Sequence, residues 1–328
     1  MKMELARAAL RDFLGRNPRV LALTGAGCSA PSGIPDYRDL RGAWKHSKPM
    51  SFAEFTGSAA ARRRYWAGSL RGWPRVRDAR PNPAHLALAA LEAQGPLRFV
   101  VTQNVDGLHQ RAGSRRVLDL HGRLDVVECL GCGARVGRED LQKLLEIWNP
   151  EFVDGSATGG RANRGQDTPG RSRERLDRSW GGPGTPGLDQ SWGGALSPHP
   201  PTPPLGGARP DGDAGVTAPL EGFRMPDCRE CGGILKPGVV FFGENVPRER
   251  VAAVYEALDA ADALLVIGSS LMVWSGYRFV RAACERRLEV AALNLGRTRA
   301  DAELSLKLEW DCAELLAGVV VNERGQRA

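Results

Sequence analysis

No apolar run in the 328 residues approaches the roughly 18–20 needed to span a bilayer as a helix, so the sequence offers no transmembrane segment. A disulfide framework is missing too. The seven cysteines are an odd count in a long chain without a secretory signal, and four of them fall in two CxxC pairs. That pattern favours metal binding over covalent stapling. The usual dinucleotide fingerprint GxGxxG is also absent. After Gly25-Ala26-Gly27 the third glycine position holds Ala30, and the next glycine is Gly33, which disfavours an ordinary dehydrogenase. Nor does the N-terminus show a clear transit peptide. MKMELARAALRDFLGR mixes acids with its arginines and leads straight into a strand, so it reads as a capping helix with Leu5, Ala9 and Phe13 on its buried side.

What is present is ordinary in bulk. Hydrophobic residues at 42% and charged residues at 25% suit a globular chain able to build one large domain or two modest ones. The net charge of +7 is compatible with acidic ligands or nucleic acid, but arginine recurs in a low-complexity stretch as well as through the rest of the chain and marks no particular face.

Short β-rich runs at 20–24, 98–102, 117–120, 239–242, 263–267 and 290–293 alternate with helical patterns at 81–94, 248–262 and 276–287. The runs are almost continuously apolar, as parallel strands covered on both faces must be. Strand, glycine-rich turn and helix in repetition predict an α/β fold, a Rossmann-like doubly wound parallel sheet. Two interruptions, an Arg- and Trp-rich stretch at 42–80 and the cysteine-bearing stretch at 126–235, predict a smaller inserted metal-binding domain. The large domain is then discontinuous, from 1–41, 81–125 and 236–328. Residues from about 156 to 218 are dense in Gly, Pro, Arg and Ser and carry a near-repeat, LDRSWGG at 176–182 and LDQSWGG at 188–194. Such composition buries too little apolar surface to offset its ordering entropy, so disorder is expected there; a Trp-and-Arg partner-binding segment is the alternative.

The chemistry sits at predicted strand ends. Gly25-Ala26-Gly27 let a backbone approach a pyrophosphate, although the same turn also serves plain strand-to-helix packing. In the loop that follows, Asp36, Tyr37 and Arg38 suit an aromatic and a fixed cation over a cofactor, or else a surface Asp36–Arg38 pair. Gln103, Asn104, Val105 and Asp106 place amide and carboxylate groups where ribose hydroxyls and a carboxamide can be gripped, or simply end a strand in a polar turn. His121 also follows a strand; with a pKa near neutrality it is a candidate general base. Gly268-Ser269-Ser270 and Asn294-Leu295-Gly296 put further small groups at the same edge. Cys129, Cys132, Cys228 and Cys231, each pair followed by glycine, suit four-thiolate zinc, a closed shell that is structural; a redox CxxC is the alternative. Cys28, Cys284 and Cys312 read as packed thiols.

Taken together, GAGCSAPSGIPDYR, TQNVDGLHQRAGS, LDLHG, the two CxxC pairs, KPGVVFFGE, GSSL and NLG resemble the sirtuins, NAD-dependent protein deacylases, over nearly all of the chain except about 156–218. The details RRRYW, PNPAH, SSLMVWSGYRF and LNLGRTRAD resemble the class II, mitochondrial sirtuin-4 branch. The resemblance implies a mitochondrial-matrix enzyme with one structural zinc ion that consumes NAD. In its site 25–45 forms the cofactor loop, including Gly25, Ala26, Gly27, Ser29, Asp36, Tyr37 and Arg38. Gln103–Asp106, Gly268–Ser270, Asn294–Gly296 and Cys312 complete it. It further implies that Asn104 and Asp106 orient ribose and nicotinamide, and that His121 deprotonates a ribose hydroxyl after the acyl oxygen has displaced nicotinamide. Free lysine and O-acyl-ADP-ribose are released, and the substrate peptide pairs with the backbone at 240–244.

Where a desuccinylating relative carries a Tyr-x-x-Arg pair, alignment brings Arg71 and Trp73, so lipoyl, biotinyl or branched acyl groups are expected instead. Acyl-lysine proteins, metabolic enzymes among them, are the expected partners, with no membrane and no specific nucleic acid. Mono-ADP-ribosyl transfer and a non-catalytic NAD-sensing scaffold are the competing functions. The first would leave label on protein, and the second would bind NAD without turnover.

Overall fold

The computed structural model describes residues 2–45, 48–153 and 220–320. The low-complexity stretch, and with it the expectation of disorder, lies outside the described residues. Nine strands are formed among them. These are β1 (Val20–Thr24), β2 (Leu97–Thr102), β3 (Val117–Asp119), β4 (Gly122–Cys129), β5 (Arg135–Gly137), β6 (Leu235–Val239), β7 (Ala263–Ile267), β8 (Glu289–Leu293) and β9 (Leu306–Leu308).

Six of them make a parallel sheet in the order β3-β2-β1-β7-β8-β9. Every residue of β1 and β7 is buried, which is why their sequences, VLALT and ALLVI, lack polar alternation. One face of the sheet is covered by the helices Met3–Arg16, Pro83–Gln94 and Cys312–Ala317. The other carries Arg248–Asp259 and Trp274–Glu285. The N-terminal helix buries Ala6, Leu10 and Phe13, while Leu5 is 60% exposed, so the buried stripe keeps Phe13 but is otherwise shifted by one residue from the expected one. Chain order runs outward from β1 to β3 on one side and from β7 to β9 on the other. The switch point, where an open α/β sheet forms its ligand crevice, is therefore between β1 and β7.

The remaining three strands form an antiparallel sheet in the order β5-β4-β6. Of the apolar run at 239–242, expected as a parallel strand of the large sheet, only Val239 is in a strand, and that strand belongs here instead. The strand is Leu235–Val239 and pairs with β4, and the chain then turns away through Val240. The Arg- and Trp-rich stretch packs against this sheet. Phe55, Trp66, Leu70 and Trp73 share one core with Val127, Leu145 and Leu235. Ser51 opens the first of its helices with a reciprocal capping box to Glu54, and Ser58 caps the second, Ala59–Asp78. Within that core the guanidinium of Arg138 is buried over the faces of Trp66 and Trp73, at 5.8 and 5.2 Å from the ring centres. Trp66 and Trp73 are therefore structural fill.

Candidate active site

At the switch point the ends of β1 and β7 touch. Gly25 N–H donates to the Ile267 carbonyl at 3.0 Å and Gly27 N–H to the Gly268 carbonyl at 2.8 Å. A Cβ on Gly25 would stand 2.7 Å from that of Ser269, and Gly268 has φ +60°, so glycine is a steric requirement here. The crevice opens into a cavity of about 850 Å³. Every residue named above for the cofactor lines it, from Gly25 and Ser29 through Asp36, Gln103–Asp106 and Gly268–Ser270 to Asn294–Gly296 and Cys312, and so does His121. The volume and the mixture of apolar wall with a few convergent polar groups fit a dinucleotide-sized ligand.

The polar groups form one network. Ser29 Oγ donates to Asp106 Oδ2 at 2.7 Å and accepts from Asn104 Nδ2 at 2.9 Å. Asn104 Nδ2 also reaches the Gly25 carbonyl at 3.0 Å, and Asp106 Oδ1 accepts the Leu108 N–H at 2.8 Å. Gln103 Nε2 donates to Ser269 Oγ at 2.9 Å, tying the end of β2 to the loop after β7. These bonds fix carboxylate and amide orientations in advance of any ligand.

His121 follows β3 directly and hangs over the same edge. Its Nδ1 lies 3.0 Å from the Gln103 carbonyl oxygen, which can only accept, so Nδ1 carries the proton and Nε2 offers a lone pair. Burial pushes its pKa down to about 4, helped by Arg250 and Arg278 and opposed by the Gln103 bond. The expectation of a near-neutral pKa is thus corrected: at pH 7 the ring is fully neutral, the state a base requires.

In the loop after Gly33, Asp36 and Arg38 do not form the surface pair that was the alternative reading. Asp36 binds Lys45, while Arg38 donates to the Gly42 carbonyl at 2.7 Å and lies 3.9 Å over the Trp44 ring. Tyr37 stands edge-on to Trp44 and Phe242, each at 6.1 Å. Arg71 and Trp73 do not reach the cavity. Arg71 donates to the Phe152 carbonyl and Trp73 to Glu139, so the alignment that brought them to the acyl group is corrected. Ile34, Met50, Tyr65 and Phe241 form the apolar wall instead. Ile34 falls in the 25–45 loop and Phe241 in the 240–244 edge that the resemblance implied, but the sequence did not point to Met50 or Tyr65; one signal was available, since Tyr65 sits on the buried stripe of an amphipathic helix. Ser275 was missed as well, falling one residue before the helix expected at 276. The turn at 241–244 is braced by Glu244, which accepts the Phe241 N–H at 2.8 Å and the buried Lys236 ammonium at 3.2 Å.

The four cysteine sulfurs lie within 4.8 Å of one another. Cys129 and Cys231 are 3.5 Å apart and Cys132 and Cys228 3.7 Å apart. Sulfurs about 2.3 Å from a tetrahedral zinc stand about 3.8 Å apart, and a disulfide would need about 2.05 Å. The Cys132 and Gly131 N–H groups pull the Cys129 thiol down, while the neighbouring sulfurs push Cys132 and Cys231 up. The site fits one structural zinc with no open position, at the end of β4 and away from the cavity.

Cys28, His85 and His109 also cluster, all buried, within 4.8 Å. His85 Nδ1 accepts the Asn82 N–H at 3.3 Å, leaving the proton on Nε2, which faces Ser29 Oγ at 3.5 Å. His109 Nε2 is 2.9 Å from Thr24 Oγ1, whose own hydrogen goes to Thr102. Burial lowers the pKa of both rings and raises that of Cys28. The three are neutral packing beneath the Ser29 network, not a ready set of metal lone pairs.

Comparison with known proteins adds the following. Residues 25–275 match the model of the Sir2 family. The chain is 49% identical over 310 residues to an NAD-dependent protein deacetylase of Xanthomonas campestris pv. campestris, covering 94% of this chain and 89% of that one. It is 48% identical over 314 residues to NAD-dependent protein deacetylase 2 of Bradyrhizobium diazoefficiens, covering 95% and 97%. Among solved structures it is similar to one described as "Structural Basis for the Mechanism and Regulation of Sir2 Enzymes", with TM-score 0.65, 27% identity and 97% of each chain covered. Another, described as "Sir2-p53 peptide-NAD+", has TM-score 0.65, 25% identity and 96% of each chain covered. The two relatives are bacterial, and bacteria have no mitochondria, so the mitochondrial-matrix expectation is overturned.

Proposed function

The chain belongs to the sirtuin family, as an NAD-dependent protein deacylase with one structural zinc, and from that premise we propose which of its residues do which work. The observation that carries the proposal is the position of the His121 Nε2 lone pair. It lines the cavity that also holds the pre-set Ser29–Asn104–Asp106 network. Backbone at Gly25–Gly27 and Ser270 receives the pyrophosphate, while Asn294–Gly296 and Cys312 hold the far nucleoside. Asn104 and Asp106 orient ribose and nicotinamide. NAD, when bound, supplies the electrophilic ribose carbon. His121 then removes a proton from a ribose hydroxyl at Nε2 and holds it while Nδ1–H stays on the Gln103 carbonyl. In this reading 1–41, 81–125 and 236–328 form the NAD domain and 42–80 with 126–235 the smaller one, except that the smaller one also takes β4 from Gly122 and β6 as far as Val239, because both pair in its antiparallel sheet.

The acyl-lysine peptide enters between the backbone at 240–244 and the loop before Ser275. Part of the 240–244 edge is already committed: Val240 N–H donates to His121 and the Phe242 carbonyl accepts from Phe52. The acyl chain faces Ile34, Met50, Tyr65 and Phe241, and no arginine of the helix Ala59–Asp78 lines the cavity. An uncharged chain fits that wall better than a carboxylate, which supports a lipoyl, biotinyl or branched acyl substrate on metabolic enzymes and a place in the sirtuin-4-like branch.

The test is incubation with NAD and a panel of acyl-lysine peptides, with products read by mass spectrometry. O-acyl-ADP-ribose from wild type and none from His121→Ala is expected, fastest with apolar acyl chains. Label from NAD retained on protein would instead make the chain an ADP-ribosyltransferase, and a preference for succinyl-lysine would sink the acyl reading.

A further inference from the structure

Resting on the deacylase reading, we propose that Ser275 is the proton relay of His121, carrying the proton between the substrate hydroxyl and Nε2. Ser275 opens the helix Trp274–Glu285, and its Oγ lies 2.8 Å from His121 Nε2. The Gln103 carbonyl claims the proton of Nδ1, so Nε2 is the accepting atom and the Ser275 hydroxyl is its donor. The only lone pair His121 can use as a base is thus already occupied by a side chain that itself lines the cavity. A substrate hydroxyl arriving from the cavity meets Ser275 Oγ, whose lone pairs face outward from that bond.

The proton balance closes without a further reagent. The substrate O–H bond breaks and its proton passes to Ser275 Oγ. The hydroxyl proton of Ser275 passes to Nε2, leaving an alkoxide on the substrate and an imidazolium bonded to the Gln103 carbonyl. Ser275 is again a neutral alcohol. The reverse transfer later passes the proton from Nε2 through Ser275 to the lysine nitrogen as it departs. The position of Ser275 is fixed independently of the ligand. The first turn of its helix rests on Gln103, where a Cβ on Gly276 would fall 2.5 Å from Oε1. One residue, Gln103, therefore positions both the base and the helix that bears the relay.

The inference separates two steps. Nicotinamide leaves before the base acts, so a relay defect must appear in lysine release and not in nicotinamide release. In single turnovers of the full chain with NAD and an acyl-lysine peptide, Ser275→Ala is expected to slow deacylated-peptide formation at least 10-fold. The first nicotinamide burst should stay within about twofold. Ser275→Thr, which keeps the hydroxyl, restores most of the rate. The solvent-isotope proton inventory of peptide release curves for wild type, with two protons in flight, and becomes linear for Ser275→Ala.

Peptide release by Ser275→Ala within twofold of wild type across pH 5–9 overturns the relay, as does an equal loss in the Ala and Thr variants. Parallel loss of the nicotinamide burst would make Ser275 a ligand-positioning group and overturns it too. Wild type that releases no nicotinamide at all would remove the deacylase reading beneath it, a different result from an active wild type with an equally active Ser275→Ala.

Discussion

At the scale of single residues, three histidines are kept neutral by the fold. His85 is fully buried with a pKa lowered to about 4, His121 is lowered to about 4, and His109 is lowered by burial and by its neighbour His85. In the unfolded chain each titrates near 6.5. Between those values the unfolded state binds protons that the folded state refuses, so unfolding free energy rises with pH across about 4 to 6.5 and is flat above it. His85 alone contributes about 3 kcal/mol over that window, and the stabilisation is lost as pH falls through it. Urea midpoints measured from pH 4 to 8 should climb steeply and then level, with a shallower climb for His85→Gln. A flat profile would mean that these rings are charged inside the fold. In the proposed mechanism the same neutrality leaves His121 Nε2 free to accept a proton well below pH 6.

Among the elements, the antiparallel sheet depends on zinc at one end and on packing at the other. Cys129 ends β4, and Cys228 and Cys231 precede β6, so the metal closes the turn end of the β4–β6 ladder. Chelation is expected to expose amides at 127–136 and 228–236 to exchange while β1 and β7 keep their protection. Mass spectrometry of the native chain should count one zinc. Unchanged protection after chelation would mean that the Trp66 core alone holds this sheet. These elements were also unequally legible. β1, β7 and β8 stood out because burial on both faces leaves an unbroken apolar run. The run at 239–242 looked the same, but only Val239 of it is in a strand, and that strand is placed in the other sheet by pairing with β4, a partner more than 100 residues away in sequence. β9 has only three residues and β5 three, too short to carry a period. At the site, glycines and strand-end polar residues were readable because their chemistry is local. Tyr65 and Ser275 were not, because their roles exist only once a helix has been laid across the sheet edge.

For the whole molecule, the decisive point is where the two sheets are covalently joined. β3 ends at Asp119 in the parallel sheet and β4 begins at Gly122 in the antiparallel one, so His121 occupies the joint. The proposed pyrophosphate end of the crevice, by contrast, lies between the ends of β1 and β7 in the parallel sheet. Binding and base chemistry therefore respond to different parts of the structure. Gly122 has φ +80°, and a Cβ there would overlap the Gly238 carbonyl of β6. Gly122→Ala must shift the joint, carrying His121 away from Gln103 and Ser275, while the β1–β7 crevice stays intact. The expected phenotype is a loss of at least 10-fold in peptide release with NAD binding retained. Retained binding is read as the same rise in unfolding free energy as in wild type, about 2.7 kcal/mol at a hundredfold excess over Kd. Were the NAD-dependent rise to vanish together with turnover, the joint would have to be part of the nucleotide site itself, and the separation of the two roles would be wrong.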